Sequence, residues 1–531
     1  MRLTWRPEVR TFASGKGDSA LSEQSVLTRT DADFCSAFKR TIALCGDQAA
    51  IDFADRPSTS FSDLQQRSLR LAQAIEGRGV QPGDRVAVVA GNGPWIVELI
   101  LAAAFSGFVL VPVNVRLTAT EISFIIRDAA PRLIFVDQAR KEVLDDFVGS
   151  KTALLDVAGD LETLIDAASD TASVRLRSAD DDPAFLQLYT SGTTGHPKGA
   201  ILSQRNISSI ALVGADCLGP MHAGDVMMIC LPMFHIAAID LVVFALARGV
   251  LMVILPEVVP ADVAAKIAAH KVNRILLVPA VIRMLVEHLE ARAEKLESVE
   301  TLIFGASPMP EELITRVANV MPCADLIHVY GLTETSGMVT YLPPEHLACG
   351  QRLKSCGRSF PTGEIAVVDA DGKKLPPGTV GEVIYRGPQT MSEYWSNPAA
   401  TASAIRDGWF HTGDAGYLDD EGYLYLSDRI KDMIKPGGEN VYPAEVENAV
   451  LKHEGVADAA VIGVPDDKWG EIVCAVVVPG DAEPPTLESI QTHARQELAG
   501  FKIPRRLEIV DALPRNGAGK VQKHVLRERY S

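Results

Sequence analysis

Six short aliphatic runs, at residues 85–89, 133–136, 226–230, 251–255, 275–278 and 302–304, are too brief for helices and show no alternation of apolar with polar residues. Such runs read as strands buried on both faces, the pattern of a parallel sheet. Between them lie stretches of helical period: residues 61–79 place Leu64, Leu69, Leu71 and Ile75 near one face, and residues 261–270 and 281–296 read likewise. This alternation predicts an α/β fold in which helices cover parallel sheets. The most apolar long stretch, residues 99–113, is interrupted by Ser106, Gly107 and Pro112 and falls short of the roughly 18 residues a membrane span needs. It reads as a buried helix running into a strand, and no membrane span is expected.

From about residue 357 the texture shifts to hairpins, with an aliphatic strand at 365–368, the turn Asp371-Gly372, then Pro376-Pro377-Gly378 and a strand at 382–385. A β-rich subdomain over about 357–428 is the expectation. Beyond Asp428 come the Gly-rich loop Pro436-Gly437-Gly438, a helix at 444–453, strands at 459–464 and 473–478, and a helix at 487–498. About a hundred residues suffice for a small α+β domain. The expected division is therefore a large N-terminal domain over 1–428 and a small C-terminal domain over 429–531.

Charge narrows the partners. Of the 531 residues, 51 are Lys or Arg and 68 are Asp or Glu, leaving a net charge of −17. Such a surface repels phosphate backbones and anionic lipid, which disfavours nucleic acid or a membrane as the main partner, so an anionic ligand needs a local cationic site. The eight cysteines include no C-x-x-C pair that would suggest zinc or a redox dithiol, and they read as reduced. The N-terminal residues lack the apolar core of a signal peptide and Arg529-Tyr530-Ser531 is no peroxisomal address, so a cytoplasmic location is expected.

The chemistry is concentrated in a few strings. Residues 189–199 read YTSGTTGHPKG, in which Thr190, Ser191, Gly192, Thr193, Thr194 and Gly195 gather hydroxyls and exposed amides, and Lys198 adds an ammonium. Together they make a phosphate cradle. Pro197 stands where a Walker A loop needs glycine, which disfavours a P-loop kinase or GTPase. Residues 301–308 (TLIFGASP) and 328–337 (HVYGLTETSG) each carry a strand into a Gly-containing loop, where open α/β sheets bind ligands. Tyr330 there offers a face for adenine and Glu334 a hard oxygen for Mg²⁺. Asp414, after a Thr-Gly turn, suits two ribose hydroxyls, and Arg429 follows as a fixed cation. Gly91-Asn92-Gly93 fails the dinucleotide fingerprint at Ile96, so NAD is not implied.

In their order along the chain these strings resemble the AMP-forming adenylating enzymes, the superfamily of acyl-CoA synthetases, stand-alone adenylation domains and firefly luciferase. The resemblance covers nearly the whole chain and is nearest to a fatty or aryl acyl-CoA ligase. It implies a carboxylic acid substrate with ATP, Mg²⁺ and coenzyme A: the acid becomes an acyl-adenylate with loss of pyrophosphate, and CoA then displaces AMP. By the same resemblance Gly305, Ala306 and Ser307 border the adenine, Thr333 touches the α-phosphate, and Glu334 with Thr190 holds Mg²⁺. Asp414 takes the ribose, Arg429 lies near ribose and phosphate, and Lys520, in Pro514-Arg515-Asn516-Gly517-Ala518-Gly519-Lys520, enters the site for adenylation. Lys431 matches the hinge, Gly437 and Gly438 the loop that reaches the thiol channel, and His235 the junction of acyl pocket and thiol tunnel.

Ala237, Ile239, Val329, Gly331, Gly337 and Met338 would form an apolar acyl pocket. No charge lies between His235 and Ile239, which disfavours an α-amino acid, and no tryptophan closes the pocket around acetate. Medium or long fatty acids and aryl or thioether-substituted acids stay open, with fatty acid metabolism the expected setting. The alternatives are loading of a carrier-protein phosphopantetheine, oxidation of the adenylate as in luciferase, and a non-catalytic nucleotide-binding module. Sequence does not give the oligomeric state; relatives are often dimers, which makes a homodimer the expected assembly.

Overall fold

The computed structural model describes residues 34–531 except 55, 148–151, 169–182, 191–196, 306–308, 430–431, 435, 437–440, 467–468, 481–482 and 516–520. The aliphatic runs become the centres of two large sheets. In one, of nine strands among the described residues, Ala49–Phe53, Leu251–Ile254, Val226–Ile229, Arg274–Leu277, Thr301–Gly305 and Asp325–Tyr330 lie side by side and parallel. In the other, of seven, the parallel strands are Ala153–Asp156, Leu133–Val136, Arg85–Val89, Val109–Pro112 and Ala184–Thr190.

The continuous apolar runs have a simple cause. Val86 and Val88 point into one apolar cluster with Leu99 and Ile100 of helix Pro94–Ser106, while Ala87 and Val89 point into another with Ile122 and Ile126 of helix Ala119–Ala129. Both faces are covered, so neither can be polar, and each fully buried Val or Leu contributes about 1.5–3 kcal/mol. Residues 99–113 are a buried helix that ends at Gly107, in the left-handed region at φ 82°, and runs into strand Val109–Pro112. The helix expected over 281–296 instead spans Pro279–Glu290, because proline at the first helical position loses no hydrogen bond.

Among the described residues three of the four edges of these sheets are antiparallel, which the aliphatic runs alone do not reveal, while Ala153–Asp156 is a parallel edge. Strand Lys198–Ser203 returns beside Ala184–Thr190, and the two-residue strand Glu393–Tyr394 covers its outer side. Thr340–Leu342 and Arg358–Ser359 extend the nine-stranded sheet. The hairpin-rich stretch forms an antiparallel sheet of Glu364–Val368, Gly381–Arg386, Ile405–Arg406, Trp409–Leu418 and Leu424–Arg429. Further along, Val456–Asp466, Gly470–Pro479 and Arg506–Ile509 make a three-stranded sheet with its own apolar clusters, to which helices Pro443–Val450, Leu487–Ala494 and Lys523–Tyr530 contribute. Among the described residues no helix is long and apolar enough to cross a membrane.

Candidate active site

Strand Ala184–Thr190 ends on Thr190, and the antiparallel return puts Lys198 directly opposite it. The phosphate-cradle string is thus the connection of a hairpin; Ser191, Gly192, Thr193, Thr194 and Gly195 lie outside the described residues. The Thr190 hydroxyl donates to Glu334 Oε1 at 3.1 Å, and the Tyr394 hydroxyl donates to the same oxygen at 2.9 Å. Glu334 sits in a short 3₁₀ turn, Thr333–Thr335, with 8% of its surface exposed, and its backbone carbonyl accepts from the Met391 amide at 2.8 Å. Lys198 Nζ stands 5.2 Å from the centre of the Tyr394 ring. A carboxylate offers about four acceptor positions, so two hydroxyl bonds leave Glu334 free capacity for a hard dication. Among the described residues no group of three acidic, His or Cys side chains forms a metal cage. A Mg²⁺ held by one carboxylate and completed by phosphate oxygens is the arrangement such a donor set fits.

At the end of strand Asp325–Tyr330 the Tyr330 hydroxyl donates to Asp414 Oδ2 at 2.6 Å. Asp414 is held in turn: its amide donates to Thr412 Oγ1 at 3.0 Å, and that hydroxyl donates to the Val383 carbonyl at 2.7 Å. The backbone of Arg429 pairs across the sheet from Asp414. Gly305 lies beside Val329 in the sheet register, while Ala306 and Ser307 lie outside the described residues. If Asp414 accepts from ribose hydroxyls, Asp414→Ala should raise the KM for ATP about tenfold or more, since hydrogen bonds to a charged group are worth about 1.5–3 kcal/mol. Tyr330→Phe, which removes only the hydroxyl that braces Asp414, should raise it less. Initial rates against ATP concentration check both, and an unchanged KM in Asp414→Ala would make the aspartate a turn residue only.

The loop after Tyr330 doubles back on itself. Gly337 donates its amide to the Leu332 carbonyl at 2.9 Å, and Val339 donates to Tyr330 at 2.8 Å. This return needs two glycines. A Cβ on Gly331 would stand 1.6 Å from the Gly337 carbonyl oxygen, and Gly337 has φ +90° with its Cβ position 1.9 Å from Asp240 Oδ2. Val329 and Met338 flank the loop as buried side chains. His235 precedes helix Ile236–Arg248, its ring centre 4.6 Å from that of Phe234; on this helix Ala237 is half-buried and Ile239 lies in the main core.

The structure therefore joins Thr190 to Glu334, Tyr330 to Asp414, and Gly331 to Gly337. Lys431, Gly437, Gly438 and Lys520 lie outside the described residues. Two side chains escape motif reading. Tyr394 carries no signal, because its strand has two residues and its partner Glu334 is 60 positions away. Asp240 is the residue just after the uncharged window from His235 to Ile239, and a lone charge in an apolar helix is the signal that finds it.

A family model described as AMP-binding enzyme matches residues 38–395, and one described as AMP-binding enzyme C-terminal domain matches residues 445–520. The chain is 36% identical over 476 residues to the fatty acid--[acyl-carrier-protein] ligase ScoC of Streptomyces coeruleorubidus, covering 89% of this chain and 91% of that protein. It is 36% identical over 492 residues to the long-chain-fatty-acid--CoA ligase FadD13 of Mycobacterium tuberculosis, covering 91% and 95%. Among solved structures it is similar to ATP-bound MatB from Rhodopseudomonas palustris, with TM-score 0.85, 32% identity, and coverage of 94% of this chain and 99% of that one.

Proposed function

Because the chain belongs to the AMP-binding enzyme family, we propose that it activates a carboxylic acid with ATP and transfers the acyl group to coenzyme A, yielding acyl-CoA, AMP and pyrophosphate. The observation that carries this reading is the meeting of Thr190, Tyr394 and Glu334 beside Lys198, at the mouth of the phosphate-cradle hairpin.

A carboxylate is a poor acyl donor because its leaving group would be oxide. Its oxygen attacks the α-phosphorus of ATP in line, and the bond to pyrophosphate breaks. No general base is needed, since a carboxylic acid is already ionised at neutral pH. Charge gathers on phosphoryl oxygens, and the site's task is to place positive groups there. Lys198 faces the departing phosphates, the Thr333 hydroxyl reaches the α-phosphate, and Lys520 bridges carboxylate and α-phosphate. Glu334 with Thr190 would hold Mg²⁺, which supplies charge neutralisation on the phosphates when bound. Asp414 accepts from the ribose, Arg429 lies near ribose and phosphate, and Tyr330 and the 305–307 segment border the adenine.

For thioester formation the C-terminal part, residues 429–531, turns about Lys431 against the N-terminal part, 1–428. The turn withdraws Lys520 and brings Gly437 and Gly438 to the thiol channel beside His235. The thiolate of CoA attacks the acyl carbon and AMP leaves. We place the enzyme in the cytoplasm, as a homodimer.

The test is a panel of fatty and aryl acids assayed for pyrophosphate release with ATP and Mg²⁺, followed by detection of the CoA thioester. Acid-dependent release and a thioester product are expected; no release with any acid would overturn the reading. A carrier-protein phosphopantetheine as acceptor is the second reading, favoured by the 36% identity to a ligase of that kind. Supplying CoA and a phosphopantetheinylated carrier protein in parallel separates the two.

A further inference from the structure

Helix Ile236–Arg248 is apolar from its first residue to Ala247 except at Asp240. That carboxyl is fully buried, and neither of its oxygens has a hydrogen-bond partner among the described residues. Burial holds its pKa well above the ordinary aspartate value, with no charged neighbour contributing. An unpartnered buried carboxyl destabilises the fold, whereas an alanine at the same place would not. The side chain also has a definite direction. Oδ2 abuts Gly337, where a Cβ would stand only 1.9 Å away, and Gly337 closes the loop whose other end carries Thr333 and Glu334. Ser336 of that loop donates to the Gln389 carbonyl at 2.8 Å, and there Gln389 Nε2 and Thr390 Oγ1 are likewise buried with no partner among the described residues. The surroundings of this loop thus hold polar groups that no described residue satisfies.

We propose that Asp240 is a specificity-determining residue of the acyl pocket, and that the acid it selects carries an N–H or O–H donor, an ammonium or a hydroxyl, on its chain away from the reacting carboxylate. The inference rests on the reading that Ala237, Ile239, Val329, Gly331, Gly337 and Met338 form the acyl pocket, which Asp240 adjoins through its contact with Gly337. A donor brought against Asp240 supplies the missing partner; a methyl group in the same place supplies nothing. An ammonium draws out the ionised carboxylate as a buried ion pair, and a hydroxyl bonds the carboxyl in either protonation state. A uniformly apolar pocket would discriminate by size alone, so this residue changes the expected substrate from a plain alkyl acid to one functionalised along its chain.

The test uses the full-length enzyme and pyrophosphate release. The probes are straight-chain acids from hexanoate to dodecanoate, each with a methyl, ω-hydroxy or ω-amino end, and cinnamate with a para-methyl, para-hydroxy or para-aminomethyl group. At one length or in the aryl series, a donor-bearing acid should exceed its methyl counterpart in kcat/KM by about tenfold or more, the effect of one hydrogen bond to a charged or acidic group. Asp240→Ala should erase that ratio. Asp240→Asn, which keeps the size and one carbonyl acceptor, should retain part of a hydroxyl preference and lose an ammonium preference, and so identifies the donor. Asp240→Ala should melt no lower than wild type; a clear fall in Tm would reveal a structural partner and overturn the proposal. Equal rates for all three end groups, in an enzyme that releases pyrophosphate with some acids, overturn the inference and leave the functional reading standing. No release with any acid overturns both.

Discussion

Glu334→Gln should lower adenylation about a hundredfold or more at saturating ATP and Mg²⁺, with Tm within a few degrees of wild type. The amide retains a carbonyl oxygen for the Thr190 and Tyr394 hydroxyls, which donate at 3.1 and 2.9 Å in the native protein. The local hydrogen bonds therefore have a route to survive. What disappears is the negative charge, and a neutral amide is a far poorer partner for a hard dication. Losing one well-placed electrostatic group commonly costs a hundredfold to a thousandfold in rate. Tyr394→Phe, which leaves the charge and removes one neutral donor, should cost only about tenfold or less. Pyrophosphate release measures both, and near-wild-type activity in Glu334→Gln would remove the carboxylate from the metal site.

The second large effect divides the two half-reactions. Lys520→Ala should reduce pyrophosphate release from acid plus ATP about a thousandfold or more, because the proposed mechanism puts its charge where carboxylate and α-phosphate meet. A chemically prepared acyl-adenylate should still be converted to thioester by the same variant when CoA is supplied, since the proposed turn of the C-terminal part would carry Lys520 away. Lys431→Pro, which fixes φ at the proposed hinge, should do the reverse, leaving adenylation and slowing thioester formation. Support comes from the match of residues 445–520 to the family's C-terminal domain. If both variants fold by circular dichroism and lose both half-reactions equally, the alternating arrangement is wrong.

How far the sequence discloses the fold depends on whether burial leaves a local mark. Strands Arg85–Val89 and Leu133–Val136 are legible residue for residue, because a strand covered on both faces has no polar position to break its run. Glu393–Tyr394 is not legible: two residues have no period, and their partners Ile201 and Ala200 lie nearly two hundred positions earlier. The site divides the same way. Thr190, Lys198, Tyr330, Glu334 and Asp414 stand in strings whose composition suggests phosphate, ribose or metal. Their pairings, Thr190 with Glu334 and Tyr330 with Asp414, cross 144 and 84 positions and are set by sheet order. Asp240 is visible as a charge among apolar neighbours, but that both its oxygens lack partners among the described residues is a property of packing, which no window of sequence contains.

Strand Glu393–Tyr394 has a consequence for the making of the protein. As a chain is synthesised from its N-terminus, Lys198–Ser203 emerges and can pair with Ala184–Thr190 at once, but its other side waits for residues 392–395. At about 5–20 residues per second the wait is roughly 10 to 40 seconds, during which a strand with unmatched amides and carbonyls faces solvent as a template for intermolecular pairing. The same late segment brings Tyr394 to Glu334. A nascent chain stalled before residue 393 would therefore hold most of the two large sheets yet bear a sticky edge and an unfinished phosphate site, so these two points of synthesis bound the period in which it is most open to intermolecular pairing.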